Sequence, residues 1–376
     1  MKLFVPKELA IGERRVALSP PVAIKLQALG IDLLLETGAG LSAGFPDTAF
    51  PGLRLVAASE GASVADVVFK VQAPLPANIA HMQPGSVLVG LLNPYRNIEV
   101  VKALRDRRVT SFAMELVPRI SRAQSMDALS SQAAAAGYKA ALIAAEKLAR
   151  FFPMLTTAAG TIRPAKVLVV GAGVAGLQAI ATARRLGAIV TATDVRPATK
   201  EQVVSLGAKF IAVEDDEFKQ AESAGGYAKE MSAAYQEKQK ALTASHIAKQ
   251  DVVITTALIP GRKAPVLITE AMVASMRPGS VIIDLAVERG GNCALSRPGE
   301  VVTSENGVKI VGHLNVAGRL AATASALYAR NLFAFAETLI DKSAKAVAIN
   351  WDDELVKATL LTKDGGLAHP NFQAAA

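Results

Sequence analysis

Residues 166–194 constrain this chain more than any other stretch. Lys166–Val170 is a short, Val-rich apolar run, and Gly171-Ala-Gly173-Val-Ala-Gly176 follows it at once. Next comes a segment free of Pro and Gly with apolar residues at helical spacing (Leu177, Ile180, Ala181, Ala183, Leu186), then a second apolar run ending on Asp194. Strand, glycine turn, helix, strand and terminal acid, in that order, are the context in which G-x-G-x-x-G reads as a dinucleotide-binding turn. Gly171 allows the tight turn, Gly173 lets the backbone approach a pyrophosphate, and Gly176 lets helix and strand pack closely. The helix start offers N–H groups and a positive dipole end to the phosphates. The competing explanation is a Rossmann turn whose glycines serve packing alone.

Asp194 bears on cofactor choice. A carboxylate at this strand end accepts hydrogen bonds from the adenosine ribose hydroxyls and repels a 2′-phosphate, which favours NAD(H). Arg196, two residues on, could accept that phosphate, but the acid sits where the ribose is expected and weighs more.

A chain of 376 residues is long enough for two cores. Half of it is apolar and only 5% aromatic, which suits Ala/Val/Leu-rich α/β packing. The most membrane-like run, Val167–Ala183, holds three turn glycines and is explained as strand, turn and helix, so no membrane span is expected. The start lacks the apolar core and cleavage site of a signal peptide. The single cysteine, Cys293, rules out an internal disulfide and fits a reducing cytosol. The formal charge is +8, but basic residues occur singly or in pairs among acids, so no nucleic-acid stripe is visible. A basic surface suited to anionic lipid or an acidic partner remains open. The four scattered histidines have no metal-ligand spacing.

Residues 1–120 alternate short apolar runs (Leu3–Val5, Asp32–Glu36, Asp66–Val71, Ser86–Leu91, Val109–Ala113) with helix-like segments, predicting a parallel sheet covered by helices but lacking the phosphate turn. From Met126 to Arg150 the spacing of Met126, Leu129, Ala133, Ala136, Ala140 and Ile143 predicts a long helix. Arg119, Arg122, Gln124 and Asp127 cluster at its start, with Ser130 one turn on. That helix leads between the domains, so its start is expected at a cleft where cofactors sit. The alternative is a capped helix start with solvated charges. Thr156–Pro164 reads as a turn introducing the nucleotide domain.

Beyond Asp194, Thr199–Leu206 reads as helix and Lys209–Val213 as strand. The polar stretch 214–244, with Ala224-Gly-Gly-Tyr227, is longer than a connection needs and suggests a lid, or else a solvated insertion. Asp251–Thr256, Ser280–Asp284 and Val308–Gly312 read as further strands. Their following turns, around Leu258 and Gly290-Gly-Asn292, are expected near the nicotinamide half. His313–Ile340 reads as one long helix, and Lys345–Ile349 with Leu355–Thr362 as a strand pair about Asn-Trp351-Asp-Asp. The expected organisation is α/β, two Rossmann-like doubly wound parallel-sheet domains joined by long helices. Residues 1–130 plus 315–376 form one, and 131–314 form the NAD(H)-binding one, with a mobile loop near 214–240.

Five long segments together resemble the NAD(H)-binding alpha subunit, or domain I, of proton-translocating transhydrogenase. They are Pro118-Arg-Ile-Ser-Arg-Ala-Gln-Ser-Met-Asp127, Val170–Ala183, Ala224–Met231, Thr255-Thr-Ala-Leu-Ile-Pro-Gly261 and Ile283-Asp-Leu-Ala-Val-Glu288. The opening Pro6-Lys-Glu and Gly12-Glu-Arg-Arg-Val-Ala also resemble the wider superfamily that includes alanine dehydrogenase. The resemblance implies a homodimer that works with an NADP(H)-binding subunit and a membrane-spanning proton-channel subunit, peripheral on the cytoplasmic face of the inner membrane. It implies a nicotinamide site at Arg119, Gln124, Asp127 and Ser130. It further implies NAD(H) contacts at Val174, Asp194, Val195, Arg196, Gly226, Gln239 and Leu258, with Tyr227 on the mobile loop.

Direct hydride transfer between two nicotinamides needs no general acid or base, so positioning groups should dominate. Arg119 and Asp127 are expected as a charged clamp, and Gln124 and Ser130 as hydrogen-bonding groups, with Gln124 reaching the partner's nucleotide. An alanine dehydrogenase would need a proton shuttle and a cation for the substrate carboxylate. Arg15 and Lys70 could supply the cation. The histidine that family uses after the fourth apolar run is absent here, where the chain reads Gly90-Leu-Leu-Asn-Pro-Tyr-Arg. An NAD-sensing module is the non-enzymatic alternative.

Overall fold

The computed structural model describes residues 1–221, 231–259 and 262–373. The chain divides into two compact units, Met1–Gln132 with Ala317–Ala376, and Ala133–Val316. The division falls inside the helix Ala128–Lys147.

In the first unit six parallel strands stand in the order Arg54–Val56, Asp32–Glu36, Lys2–Val5, Val67–Gln72, Val87–Leu91, Thr110–Ala113. That is the doubly wound order, third, second, first, fourth, fifth, sixth. Alternate residues feed opposite faces: Leu3, Val5, Phe69 and Val71 enter one apolar cluster, Phe4 and Val68 the other. Strands buried on both faces read as continuous apolar runs, which is why these segments were legible.

The second unit repeats the plan: Lys209–Phe210, Ile189–Thr193, Lys166–Val170, Val252–Thr255, Val281–Asp284 and Lys309–Val311 are parallel, and Val301–Thr303 adds an antiparallel edge. Val167 and Val169 pack on one side, Leu168 and Val170 on the other. In each sheet the winding reverses between the first and fourth strands, the switch point outside which doubly wound folds bind ligands.

Several sequence expectations are corrected. The Ser121–Met126 segment is a 3₁₀ helix, and the α-helix begins only at Ala128. Met126 therefore lies outside the proposed stripe and Leu129 is half exposed, while Ala135, Ala140, Ile143 and Ala144 are buried. Thr156–Pro164 contributes to an exposed hairpin, Leu155–Thr157 with Gly160–Ile162. His313–Ile340 is a 3₁₀ turn, Ala317–Leu320, and a helix, Ala321–Ala336. The tail is not a strand pair about Trp351. Asp353 caps a helix over Glu354–Thr359, its Oδ1 accepting the Leu355 N–H at 2.7 Å. An Asp followed by Glu at the first helical position is a helix-start pattern. Leu360–Lys363 then joins the main sheet antiparallel to Thr110–Ala113, while Ala346–Val347 pairs with Ile340–Asp341. Among the described residues no helix is long and apolar enough to cross a membrane.

Candidate functional site

The glycine turn separates packing from ligand approach. Gly171 has φ +98, its N–H donates to the Thr193 carbonyl at 2.8 Å, and its own carbonyl accepts the Thr256 hydroxyl at 2.9 Å. A Cβ at Gly171 would lie 2.7 Å from Thr256 Oγ1, and one at Gly176 only 1.8 Å from the Gly171 oxygen. Gly171 is required by its positive φ and by the Thr256 segment packed on it, and Gly176 by the helix closing on the turn. Gly173 is different: its φ is −76, and a Cβ there would meet nothing nearer than Arg196 Nη2 at 4.0 Å. Packing does not demand glycine at 173, and its backbone is open to close approach. Gly173 caps the helix Val174–Arg185 with no side-chain hydrogen bond, which leaves the first-turn N–H groups to an anion. These features fit a dinucleotide pyrophosphate.

Asp194 follows the strand that pairs with Lys166–Val170. Its Oδ2 accepts the Ala172 N–H of the glycine turn at 2.7 Å, so the acid is fixed against the loop. Arg196 closes on it through Nε to Oδ1 at 3.0 Å and Nη2 to Oδ2 at 2.9 Å, and its N–H also reaches Oδ1 at 2.9 Å. The first unit holds the same arrangement without the glycines. Glu36, next after the residue paired with Val5, accepts the Lys7 N–H at 2.8 Å, two residues beyond the strand end as Ala172 is.

Val195 and Arg196 are partly buried beside Asp194. Val174, at the helix start, and Leu258, after the fourth strand, are 43% and 53% exposed. Gln239 is tied down: its Nε2 donates to Thr193 Oγ1 at 2.9 Å and its Oε1 accepts the Val213 N–H at 3.0 Å. It braces the strand that delivers Asp194. Gly226 and Tyr227 lie outside the described residues.

Sequence reasoning missed the staple beneath the Leu258 turn. Buried Asp284 accepts Thr255 Oγ1 and the Ala286 N–H on Oδ1, and the Asn292 and Cys293 N–H groups on Oδ2. Asn292, fully buried, then binds both the N–H and the carbonyl of Ala257 through its side-chain amide. The signal available was an acid ending a strand ahead of Gly290-Gly-Asn292, where Gly290 and Gly291 both have positive φ. Cys293 is packed in this region, and burial pushes its thiol up to about 11, so it is inert filler.

The first-unit candidates sit on Arg119–Ser130. Asp127 turns both oxygens on Ser130, Oδ1 accepting its N–H at 2.8 Å and Oδ2 its hydroxyl at 2.6 Å. Asp127 is thus a helix cap that also fixes the Ser130 rotamer. Arg119 and Gln124 are exposed. Arg122 belongs to the tail, gripping Asp353 at 2.6 and 3.0 Å and Glu354 at 3.2 Å.

At the switch point of the first unit the chain's own charges are paired with one another. Arg15, 5% exposed, holds both Glu13 oxygens at 2.8 and 2.6 Å and donates to Gln132 Oε1 at 2.8 Å. Lys70 pairs with Glu8 at 3.0 Å, and Gln72 donates to Glu13. Burial works against the Glu13 charge, but the Arg15 hydrogen bonds and charge, with Gln72, outweigh it and hold the carboxyl below its ordinary range. For Glu8 burial wins and the pKa rises, despite Lys70 and the Val71 N–H.

Two family models cover the chain: alanine dehydrogenase/PNT, N-terminal domain, over residues 4–136, and alanine dehydrogenase/PNT, C-terminal domain, over 140–370. The first part of the NAD(P) transhydrogenase alpha subunit of Rhodospirillum rubrum is 55% identical, with 98% of each chain covered. The alanine dehydrogenase of Bacillus subtilis is 31% identical over 100% of this chain and 94% of its own. Among solved structures, a transhydrogenase from Sinorhizobium meliloti superposes with TM-score 0.89 at 54% identity, covering 98% of this chain and all of that one. An L-alanine dehydrogenase gives TM-score 0.83 at 26% identity, covering 100% and 98%. This chain therefore belongs to the alanine dehydrogenase/PNT family, on the branch of the NAD(P) transhydrogenase alpha subunits.

Proposed function

We propose that the chain is the NAD(H)-holding component of a proton-translocating transhydrogenase, presenting NADH for direct hydride transfer to NADP⁺ on a partner subunit. Membrane subunits would couple that transfer to proton movement, and the chain would act as a homodimer on the cytoplasmic face of the inner membrane. The observation that carries the reading is the Asp194 carboxylate fixed against the glycine turn, beside a Gly173 that packing does not require.

NADH, when bound, supplies the hydride. The chain's own residues bind and orient. The start of Val174–Arg185 and the Gly173 backbone receive the pyrophosphate, and Asp194 accepts from the ribose, with Val195, Arg196 and Leu258 around it. Arg119, Gln124, Asp127 and Ser130 orient the nicotinamide end, Gln124 toward the partner's nucleotide. No proton is gained or lost at the reacting carbons, so no acid or base is assigned.

The alanine dehydrogenase reading is weaker on structural grounds. Arg15 and Lys70, the cations proposed for a substrate carboxylate, are buried and engaged by Glu13 and Glu8. The deciding experiment mixes the full chain with the NADP(H)-binding subunit of a transhydrogenase and follows reduction of NADP⁺ by an NADH analogue with a distinct absorbance. Transfer is expected, together with no oxidation of alanine by NAD⁺; no transfer, or turnover of alanine, would sink the reading.

A further inference from the structure

We propose that Asn331 is a positioning residue for the nicotinamide-facing segment, an inference that rests on the function proposed above. Asn331 lies on the helix Ala321–Ala336, some 200 residues from that segment, and is 7% exposed. Its Nδ2 donates to the Ser125 carbonyl at 2.9 Å, and its Oδ1 accepts the Ser131 hydroxyl at 2.7 Å. Ser125 directly follows Gln124, and Ser131 directly follows Ser130. One side chain therefore holds the 3₁₀ helix carrying Gln124 and the first turn of the helix carrying Ser130, on either side of Asp127.

Both ends of the amide are needed. The Ser125 carbonyl takes a donor and the Ser131 hydroxyl, which also lies 3.0 Å from the Ala128 carbonyl, takes an acceptor, and a carboxamide offers both without a charge or a titrating proton. The same helix adds a second tie, since Gln132 Nε2 donates to the Ala324 carbonyl at 3.0 Å and reaches Ser131 Oγ at 3.2 Å. The segment also packs Ala123, Met126 and Ala128 into the core, while its ionic brace, Arg122 with Asp353 and Glu354, is largely exposed, and such pairs contribute little rigidity. A buried amide with both ends paired is held more firmly than a surface ion pair. Asn331 thus sets where the backbone on either side of Asp127 lies, and with it the places of Gln124 and Ser130, without touching a nucleotide itself.

The test uses full-length Asn331→Asp, nearly the same shape but unable to donate when ionised, beside Ser131→Ala, which deletes one of the two bonds. NADH affinity is measured on the chain alone, and transfer on the mixture with the NADP(H)-binding subunit at saturating nucleotides. Asn331→Asp is expected to slow transfer by roughly ten- to a hundredfold, the scale set by misplacement of about 1 Å. NADH affinity should stay within about threefold, because the adenosine half is held at Asp194. Ser131→Ala should shift transfer the same way by less. A role in stability alone would lower the melting temperature and leave the transfer rate of the folded protein intact, which overturns the proposal. Equal losses in affinity and transfer overturn it too. If Asn331→Asp does not fold, an unchanged transfer rate in Ser131→Ala has the same force. A wild-type mixture that transfers nothing removes the functional reading and this inference with it; a working wild type beside an equally fast Asn331→Asp removes only this inference.

Discussion

Arg196 binds both carboxylate oxygens of Asp194, through Nε at 3.0 Å and Nη2 at 2.9 Å, while the Ala172 N–H holds the acid from the other side. The residue that could have welcomed a 2′-phosphate is thereby spent on the residue that repels one. Asp194→Asn should weaken NADH binding by about 1.5–3 kcal/mol, the scale of a hydrogen bond to a charged group. It should also release Arg196, so the preference for NADH over NADPH narrows by more than the NADH loss alone. Titrating both nucleotides into Asp194→Asn and into Asp194→Asn/Arg196→Gln checks this: the gain for NADPH must vanish in the double variant.

The glycine turn makes a second, sharper contrast. Gly176→Ala forces a methyl to 1.8 Å from the Gly171 oxygen, so it should destabilise the fold by roughly 1–3 kcal/mol or more. Gly173→Ala meets only Arg196 Nη2 at 4.0 Å and has an ordinary φ of −76, so the fold should hold. NADH affinity should nevertheless drop by at least about tenfold, since the methyl stands where the phosphates must approach. Thermal melting and NADH titration of the two variants decide it; retained affinity in Gly173→Ala would mean that no phosphate lies against this turn.

What was legible follows from burial. The strands of both sheets are packed on two faces, so Lys166–Val170 and Asp32–Glu36 announced themselves as apolar runs, and the doubly wound order follows from their alternation with helices. The edges were not legible: Arg54–Val56 has two exposed residues, and Val301–Thr303 is mostly exposed, so neither shows an apolar signature. The tail failed for a local reason, because Leu355, Val356 and Thr359 are buried on a short helix whose apolar content mimics a strand. At the site, Asp194 and the glycines were readable because the motif is contiguous. The bonds made by Asn331, Asn292 and Gln239 were not, although Gln239 itself was named through the family resemblance, because each reaches a partner remote in sequence and spacing carries no trace of such bonds.

The buried charges of the first unit give a stability prediction. Removing one partner of a desolvated pair leaves the other uncompensated, which costs about 3–5 kcal/mol. Arg15→Met should therefore destabilise the chain on that scale, stranding Glu13 and the Gln132 Oε1 acceptor. Glu13→Gln/Arg15→Met should recover much of the loss, since neither member of this pair is then a buried ion, while Lys70 and Glu8 stay paired with each other. Chemical denaturation of the two variants tests it; an Arg15→Met protein as stable as wild type would show that the pair is solvated.

His246 sets a pH dependence in the second unit. It sits on the helix Ala233–Ile247 with Nε2 2.9 Å from the Thr191 hydroxyl, in the strand that ends beside Asp194. Burial, and then the charges of Lys249, Lys209 and Lys166, hold its pKa below the ordinary value of 6.5. With the folded pKa below the unfolded one, the unfolded chain binds more protons in the window between them, so stability rises with pH there. The full contribution is present above pH ~6.5 and is lost as the pH falls toward the folded value. His369, whose pKa burial also lowers, adds a slope of the same sign from the other unit. Wild type minus His246→Gln therefore isolates the effect. The variant should lose less melting temperature than wild type between pH 7.5 and 5.5, and equal losses would mean that His246 titrates alike in the folded and unfolded chains.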